Sequence, residues 1–198
     1  VSPGDTAEIA RLGGRKEELY RQLVVRDGIA PLPGVVGLLE ALREAGIPCS
    51  VGSSTPRRNL EVIMDLLGLG PYFGALTAAE DVTEGKPDPQ VFLRAAEKIG
   101  RHPSRCVVFE DAHVGIEAGL RAGMRVVAVA TTHPAKTLGA AHVVLECLTD
   151  ARIGELATLE VIVTEHRRAG PRRGARAPYR VLVEDDSGAL ELVYFNAD

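Results

Sequence analysis

Tryptophan is absent from the 198-residue chain, and aromatic residues together make up only 4% of it. Because hydrophobic residues still amount to 45%, the core has to be built from aliphatic side chains. No apolar run comes near the roughly 20 residues that a membrane-spanning helix requires, and no charged-then-apolar signal segment opens the sequence. These features exclude a wholly disordered chain and predict a globular protein with no membrane partner.

Cysteine is scarce as well. Cys49, Cys106 and Cys147 lie far apart, and no C-x-x-C pair occurs. An odd number of widely spaced cysteines argues against a disulfide framework. Aliphatic neighbours indicate that the three are small buried apolar residues of a protein in the reducing cytoplasm.

The charge balance is mildly acidic, with a formal net charge of −4. This excludes a globally basic nucleic-acid coat but leaves room for a local basic patch. After residue 150 every basic residue is arginine, and six of these seven arginines lie between residues 167 and 180. An acidic cluster, Glu184–Asp186, follows directly. The shift in composition predicts a boundary near residue 150.

The first 150 residues alternate between helical and strand patterns. Apolar residues recur at helical spacing in five segments, and short apolar runs lie between them. Such runs between helices are typical of a parallel sheet covered on both faces. The predicted helices span residues 7–25 (with a break at Gly13-Gly14), 34–45, 57–67, 89–99 and 114–122, and the predicted strands span residues 47–51, 106–109, 126–129 and 142–145.

The remaining 48 residues follow another pattern. Leu159–Val163 and Val181–Val183 are rich in β-formers, and Ala189–Phe195 is a further run of this kind. Asp186-Ser187-Gly188 lies between the last two runs and has turn composition. Two such runs across a short acidic turn predict a β-hairpin in a separate module.

Three polar clusters occur close to predicted strands or helix starts. Ser53 and Ser54 follow the first strand, Lys86 lies between a glycine and a proline before a helix, and Glu110 and Asp111 follow a wholly apolar strand. Ligands of open α/β sheets bind at the carboxyl ends of the strands. Hydroxyls and free N–H groups at a helix start suit an anion, and paired carboxylates suit Mg²⁺.

Each cluster also has a purely structural interpretation. Ser54 or Thr55 could simply cap the following helix, and the two interpretations of this cluster are about even. Lys86 alone is better explained as a surface residue in a turn, and Asp111 could cap a helix with Glu110 in solvent. Only the combination and order of the clusters favour a Mg²⁺-dependent phosphoryl-transfer site.

In these three clusters and the segments around them, the chain resembles the haloacid dehalogenase (HAD) superfamily, specifically its β-phosphoglucomutase-like phosphatases. The resemblance covers residues 7–148 and is carried by LPGVVGLLEALREAGIPCSVGSSTPRRN, GKPDPQVFLRAAEKIG and RCVVFEDAHVGIEAGLRAGMRVVAV. It implies an α/β fold in which residues 1–28 are the remnant of a helical cap and residues 29–150 form a HAD-like Rossmannoid parallel sheet. The implied partner is a small phosphorylated metabolite.

The resemblance also assigns roles to the clusters. Ser53 would bind phosphate with help from the backbone of Ser54. Lys86 would be the catalytic lysine and would contact the same phosphate. Glu110 and Asp111 would hold the cofactor, Mg²⁺.

The motif with which that family begins, a strand ending in D-x-D-x-T, does not occur in the 198 residues. In the family its first aspartate is the nucleophile and its second is the general acid/base. We therefore expect little turnover from this chain. The resemblance further implies a gap in the middle of the sheet, between the strands at residues 47–51 and 106–109. Unpaired strand edges there would make the chain aggregation-prone, and Leu159–Val163 is a poor candidate to fill the gap.

Residues 156–198 resemble the OB-fold wedge domain of RecG-type DNA helicases, on the stretch APYRVLVEDDSGALELVYFN and the arginines before it. The resemblance implies a short OB-like β segment within residues 151–198 and weak binding of DNA. OB folds combine a basic groove with aromatic platforms. The candidate contacts are Arg167, Arg168, Arg172, Arg173, Arg176 and Tyr179.

Three functional hypotheses follow. The first is a HAD-type phosphohydrolase or phosphomutase in an incomplete form with little activity. The second is a nucleic-acid-binding fragment of a RecG-like helicase, although no helicase P-loop is present to support a motor. The third is a composite of two fragments in which neither function is intact.

Overall fold

The computed structural model of the chain describes residues 6–151 and 191–193. Predictions on the other residues, including the arginine-rich segment and Tyr179, lie outside this part. The helices are α1 (Thr6–Asp27), α2 (Val35–Glu44), α3 (Arg57–Leu67), α4 (Gln90–Lys98) and α5 (His113–Arg121). The strands are β1 (Cys49–Gly52), β2 (Phe73–Thr77), β3 (Cys106–Glu110), β4 (Arg125–Val129), β5 (Val143–Leu145) and β6 (Glu191–Val193).

The strands form one sheet in the order β2-β1-β6-β3-β4-β5, and every described pairing is parallel. Strands β1, β3 and β4 are buried over nearly their whole length, as expected for a sheet with helices on both faces. The predicted α/β parallel-sheet fold is therefore confirmed. Parallel strands bring their carboxyl ends to the same edge, so the polar residues after β1 and β3 face one region of the molecule.

Two aliphatic cores lie on opposite faces of the sheet. The first joins α2 and α3 to the sheet and contains Val35, Leu38, Leu39, Leu42, Val51, Leu60, Met64, Val107, Phe109 and Val127. The second joins α4 and α5 to it and contains Val91, Phe92, Ala95, Ala96, Val108, Ile116, Ala118, Met124 and Val126. Only two buried phenylalanines appear among these residues, which agrees with the low aromatic content.

Two local features differ from the sequence-based prediction. Helix α1 continues through Gly13-Gly14 without the predicted break; glycine weakens a helix only by about 1 kcal/mol, and strong helix formers flank this pair. Strand β2 was not predicted at all. It is an edge strand of composition FGALT with a mixed burial pattern, so it lacks the continuous apolar run by which the buried strands are recognised.

Helix α1 is attached to α3 through a polar contact. Arg21 donates a hydrogen bond of 2.7 Å to Oδ1 of Asn59, and Nδ2 of Asn59 donates one of 2.6 Å to Glu17. Asn59 is only 2% exposed, so these bonds satisfy an amide that would otherwise be costly to bury. Within residues 6–151 and 191–193, no helix combines the length and apolar composition needed to cross a bilayer.

The expected gap in the middle of the sheet is filled by β6. Leu192 lies opposite both Cys49 of β1 and Val107 of β3. Residues 191–193 of the run predicted as a hairpin strand pair within the parallel sheet, whereas the turn and the other strand of that hairpin lie outside the described residues. The expectation of two unpaired inner edges is therefore wrong. The physical reason is that a strand between two parallel neighbours satisfies ladder groups on both of its sides, which a two-stranded ribbon cannot do.

The first prediction concerns this strand. Leu192→Pro should lower the free energy of unfolding by about 1–3 kcal/mol per lost ladder bond and promote aggregation, because proline cannot donate to a central ladder. Leu192→Ala keeps the N–H group and isolates the effect of the side chain. Thermal unfolding and light scattering of both variants measure the difference. Equal midpoints for the two variants would show that β6 does not occupy this slot in solution.

Candidate functional site

Polar residues gather where β1, β3 and β4 end. Ser53 follows β1, Glu110 closes β3 with Asp111 next to it, and Thr131 comes two residues after β4. Apart from the threonines after β4, these are residues that the sequence singles out. The threonines carried no signal, because a hydroxyl in a loop has no distinctive spacing.

A buried ion pair lies at the centre of this edge. The ammonium of Lys86 lies 2.5 Å from Oε1 of Glu110, and the two side chains are only 3% and 1% exposed. The other carboxylate oxygen of Glu110 accepts hydrogen bonds from the N–H groups of Asp111 (2.8 Å) and Ala112 (2.9 Å). Lys86 is therefore no surface residue and Glu110 is not in solvent, so both structural interpretations of these two residues are wrong.

The loop that carries Lys86 leads directly into α4. Oδ1 of Asp88 accepts a hydrogen bond of 3.0 Å from the N–H of Gln90, the first residue of the helix. Phe92 follows in the first turn, and the Lys86 ammonium lies 4.8 Å from the centre of its ring. The ion pair thus connects the start of α4 to the end of β3.

Asp111 is the second buried carboxylate, with 7% exposure. Its Oδ2 accepts a hydrogen bond of 3.0 Å from the hydroxyl of Thr131, and its carbonyl accepts one of 3.0 Å from Thr132. Burial raises the pKa of this carboxyl, the charge of Glu110 raises it further, and the threonine hydroxyls partly oppose the shift. Asp111 does not cap α5, because the residue at that position is Ala112 and no side chain caps it.

The hydroxyl loop after β1 is held by the end of β2. The N–H of Ser53 donates to the carbonyl of Thr77 (2.9 Å), and the N–H of Ala79 donates to the carbonyl of Thr55 (3.1 Å). The buried hydroxyl of Ser53 accepts a hydrogen bond of 3.0 Å from the N–H of Thr55. Ser54 is exposed. Helix α3 starts after Pro56 without a side-chain cap, so the alternative role of Ser54 or Thr55 as its cap is wrong.

Asp81 stabilises the segments next to this loop through three contacts of its carboxylate. Its Oδ2 accepts from Lys98 (2.9 Å), from Arg57 (2.5 Å) and from the N–H of Ala78 (2.8 Å). These contacts, the bond from Lys98 first among them, lower the pKa of Asp81 to about 2. The network links the starts of α3 and of the turn after β2 to the end of α4.

Glycine at position 115 is required by the ion pair. A Cβ atom at this position of α5 would overlap the carboxylate of Glu110. The helix can therefore approach the end of β3 only because residue 115 has no side chain.

The structure brings some predicted site residues together and leaves others apart. Lys86 and Glu110 are in direct contact, and Asp111 is the next residue. Ser53 lies one residue after Gly52, whose backbone packs against Phe92, the residue that also contacts Lys86. The arginines proposed for nucleic acid and Tyr179 lie outside the described residues.

The carboxylates of Glu110 and Asp111 supply some, but not all, of the oxygen ligands that a hard divalent cation requires. Lys86 compensates the charge of Glu110, whereas the Asp111 side chain accepts a hydrogen bond from the neutral hydroxyl of Thr131. A buried carboxylate with a raised pKa is stabilised by a nearby cation, and Mg²⁺ is commonly held by one or two carboxylates together with water and phosphate. Among residues 6–151 and 191–193, no cluster of three or more His, Cys, Asp or Glu side chains forms a fuller metal site.

Comparison with known proteins identifies the family. The family model for haloacid dehalogenase-like hydrolases matches residues 2–123, more than half of the chain. The chain therefore belongs to the haloacid dehalogenase-like hydrolases, as the sequence motifs indicated. A structure of a HAD hydrolase, family IA, variant 3, from Entamoeba histolytica HM-1:IMSS is similar with a TM-score of 0.73 and 26% identity, over 78% of this chain and 72% of that one.

Two curated relatives are phosphatases. The chain is 36% identical over 156 residues to the chloroplastic 5-amino-6-(5-phospho-D-ribitylamino)uracil phosphatase of Arabidopsis thaliana, covering 78% of this chain and 41% of that protein. It is 40% identical over 146 residues to the validoxylamine A 7′-phosphate phosphatase of Streptomyces hygroscopicus subsp. limoneus, covering 71% and 68%. This chain thus spans less than half of the Arabidopsis protein.

A prediction follows from Gly115. Gly115→Ala should displace Glu110 and lower the free energy of unfolding by about 1–3 kcal/mol, the usual cost of overpacking a buried site. Gly37→Ala in α2 is the matched control, because a Cβ atom there meets nothing within 4 Å, and it should be neutral or slightly stabilising. Urea unfolding compares the two. Equal effects would contradict the close packing of α5 against Glu110.

The Asp81 network predicts a pH dependence. Because the folded-state pKa of Asp81 is about 2 against an ordinary value of 3.8, its contribution to stability is complete above pH 4 or so and disappears as the pH falls towards 2. Asp81→Asn should therefore be less stable at neutral pH and show a shallower loss of stability over this acid range. The exposed Asp65→Asn serves as control. Urea unfolding at a series of pH values tests this, and parallel curves for all three proteins would refute it.

Proposed function

We propose that the carboxyl edge of this sheet binds the phosphate group of a small phosphorylated metabolite together with Mg²⁺, as part of a HAD-type phosphohydrolase or phosphomutase site. The observation that carries the proposal is the buried Lys86–Glu110 pair with a second buried carboxylate, Asp111, directly beside it. Membership of the HAD-like hydrolases and the two phosphatase relatives support it.

Each residue has a distinct part in this proposal. Glu110 holds Lys86 through one of the three N–H donors of the ammonium. The other two donors can bind phosphate oxygens. Asp111 holds Mg²⁺, with Glu110 as its neighbour in the site. The hydroxyl of Ser53 and the backbone of Ser54 bind phosphate from the β1 side.

Charge balance explains why metal and phosphate would bind together. Lys86, Glu110 and Asp111 sum to a net charge of −1 when both carboxylates are ionised, which repels a phosphate dianion. Mg²⁺ is general among hydrolases of this family; when bound, it supplies positive charge that polarises the phosphoryl group and offsets this excess. Phosphate affinity should therefore depend strongly on the metal.

The reaction also needs a nucleophile and an acid/base group, which act as a unit. Since the 198 residues contain no D-x-D-x-T, we propose that this chain alone binds phosphate but turns over p-nitrophenyl phosphate only at trace rates.

Calorimetry with inorganic phosphate, at increasing Mg²⁺ concentrations, tests the proposal. The wild-type chain should bind phosphate in the presence of Mg²⁺ and bind it far more weakly without the metal. Asp111→Asn should reduce Mg²⁺-dependent affinity by at least about tenfold, the lower range for disturbing a metal's coordination. The exposed Asp65→Asn, on the surface of α3, should bind as the wild type does.

Two results would contradict the proposal. If Mg²⁺ does not strengthen phosphate binding, or if Asp111→Asn binds both as the wild type does, the metal assignment is wrong. Robust turnover of p-nitrophenyl phosphate that disappears in Asp111→Asn would show that the chain contains a nucleophile outside the residues named here.

Binding of DNA is not part of this proposal. Its candidate residues, Arg167 to Tyr179, lie outside the described residues, and the relatives reported above are hydrolases. It stays a prediction from sequence, as do the OB-like module and the cytoplasmic location.

A further inference from the structure

Phe92 lies between Lys86 and the end of β1, where Ser53 follows. It is 1% exposed and is one of the largest fully buried side chains among the described residues. The Lys86 ammonium lies 4.8 Å from the centre of its ring, within the distance at which a cation is attracted to an aromatic face. No role in the reaction has been assigned to this residue by the sequence motifs.

The ring also contacts the strand end on the other side of the site. A Cβ atom built on Gly52 would lie 3.1 Å from Cδ1 and 3.4 Å from Cε1 of Phe92. The ring therefore packs closely on the backbone of Gly52, the residue immediately before Ser53. Phe92 thus lies beside the last residue of β1 and within cation–π range of Lys86 at the same time.

The interaction matters because, within residues 6–151 and 191–193, Lys86 has few other partners. Its side chain is 3% exposed, and its ammonium donates a hydrogen bond to Glu110. A lysine ammonium is a compact charge on a flexible stem, so one acceptor fixes its distance from Glu110 but not its orientation. An aromatic face offers a second, electrostatic restraint without using up hydrogen-bonding capacity that phosphate requires.

We propose that Phe92 is a positioning residue for phosphate binding: its ring face restrains the Lys86 ammonium, and its edge sets the spacing between Lys86 and the Ser53 loop. This inference rests on the proposed function. A leucine of similar burial would fill much of the space but would lack the negative ring face. The charge distribution of the ring, and not only its volume, is thus the relevant property.

Graded fluorination of the ring separates these two properties. Phe92 is replaced by mono-, di- and trifluorophenylalanine by site-specific incorporation, which keeps the shape and progressively weakens the ring quadrupole. Affinity for inorganic phosphate at saturating Mg²⁺ should fall stepwise with each fluorine. Phe92→Leu should reduce it by about 3- to 30-fold, a range that covers cation–π contacts from exposed to desolvated sites.

Phe109→Leu is the matched control. Phe109 is also 1% exposed, but its side chain lies in the core on the opposite face of the sheet. The Phe109→Leu variant should be less stable than the wild type but should keep its phosphate affinity. All affinities are measured well below the unfolding midpoint of each variant.

Nuclear magnetic resonance provides a readout that needs no phosphate. The chain contains only four lysines, and the ε-methylene resonances of Lys86 should be displaced upfield by the ring current of Phe92. The displacement should vanish in Phe92→Leu and persist in the fluorinated proteins. Absence of the displacement in the wild-type chain would overturn the inference.

The outcomes distinguish this inference from the proposed function. If the wild-type chain does not bind phosphate with Mg²⁺, the proposed function fails and the inference fails with it. If the wild type binds but the fluorinated series binds equally well, only the role of Phe92 is overturned. A stepwise loss of phosphate affinity in the fluorinated series, together with an unchanged phosphate affinity of Phe109→Leu, supports the inference.

Discussion

The buried pair of Lys86 and Glu110 determines the arrangement of the whole carboxyl edge of the sheet. An ammonium and a carboxylate each lose several kcal/mol of hydration when they are buried, so neither is tolerated there alone. Glu110 recovers part of this cost from two backbone N–H groups, which in turn fix the start of the segment leading to α5. The pair also explains the glycine at position 115 and the place of the loop before α4.

A second constraint acts on the sheet itself. Strands β1 and β3 are parallel and each needs a neighbour, because an unpaired inner edge would bury N–H and C=O groups without partners. In this chain β6 lies between them. About 45 residues separate the end of β5 at Leu145 from the start of β6 at Glu191, which is more than the dozen or so that a parallel connection requires.

The candidate site combines groups of opposite character. Ser53 and Lys86 offer donors to an anion, whereas Asp111 offers acceptors to a cation. Such a set suits a phosphate that carries its own metal ion better than it suits either ion alone. Support comes from outside the edge as well: the Asp81 network holds the loop after β1, and the threonines after β4 hold Asp111.

Periodicity and composition were sufficient to predict the parallel α/β sheet, four of its strands, the five helices of the described residues (apart from the continuity of α1) and the order of the polar clusters, because these depend on neighbours in sequence. They were not sufficient for the half-exposed strand β2, for the threonines beside Asp111, or for the orientation of Glu110 towards Lys86, 24 positions away. The position of β6 between β1 and β3 could not be predicted from sequence patterns either. Each of these depends on how whole elements pack, and contacts between residues distant in the chain leave no local pattern from which they could be predicted.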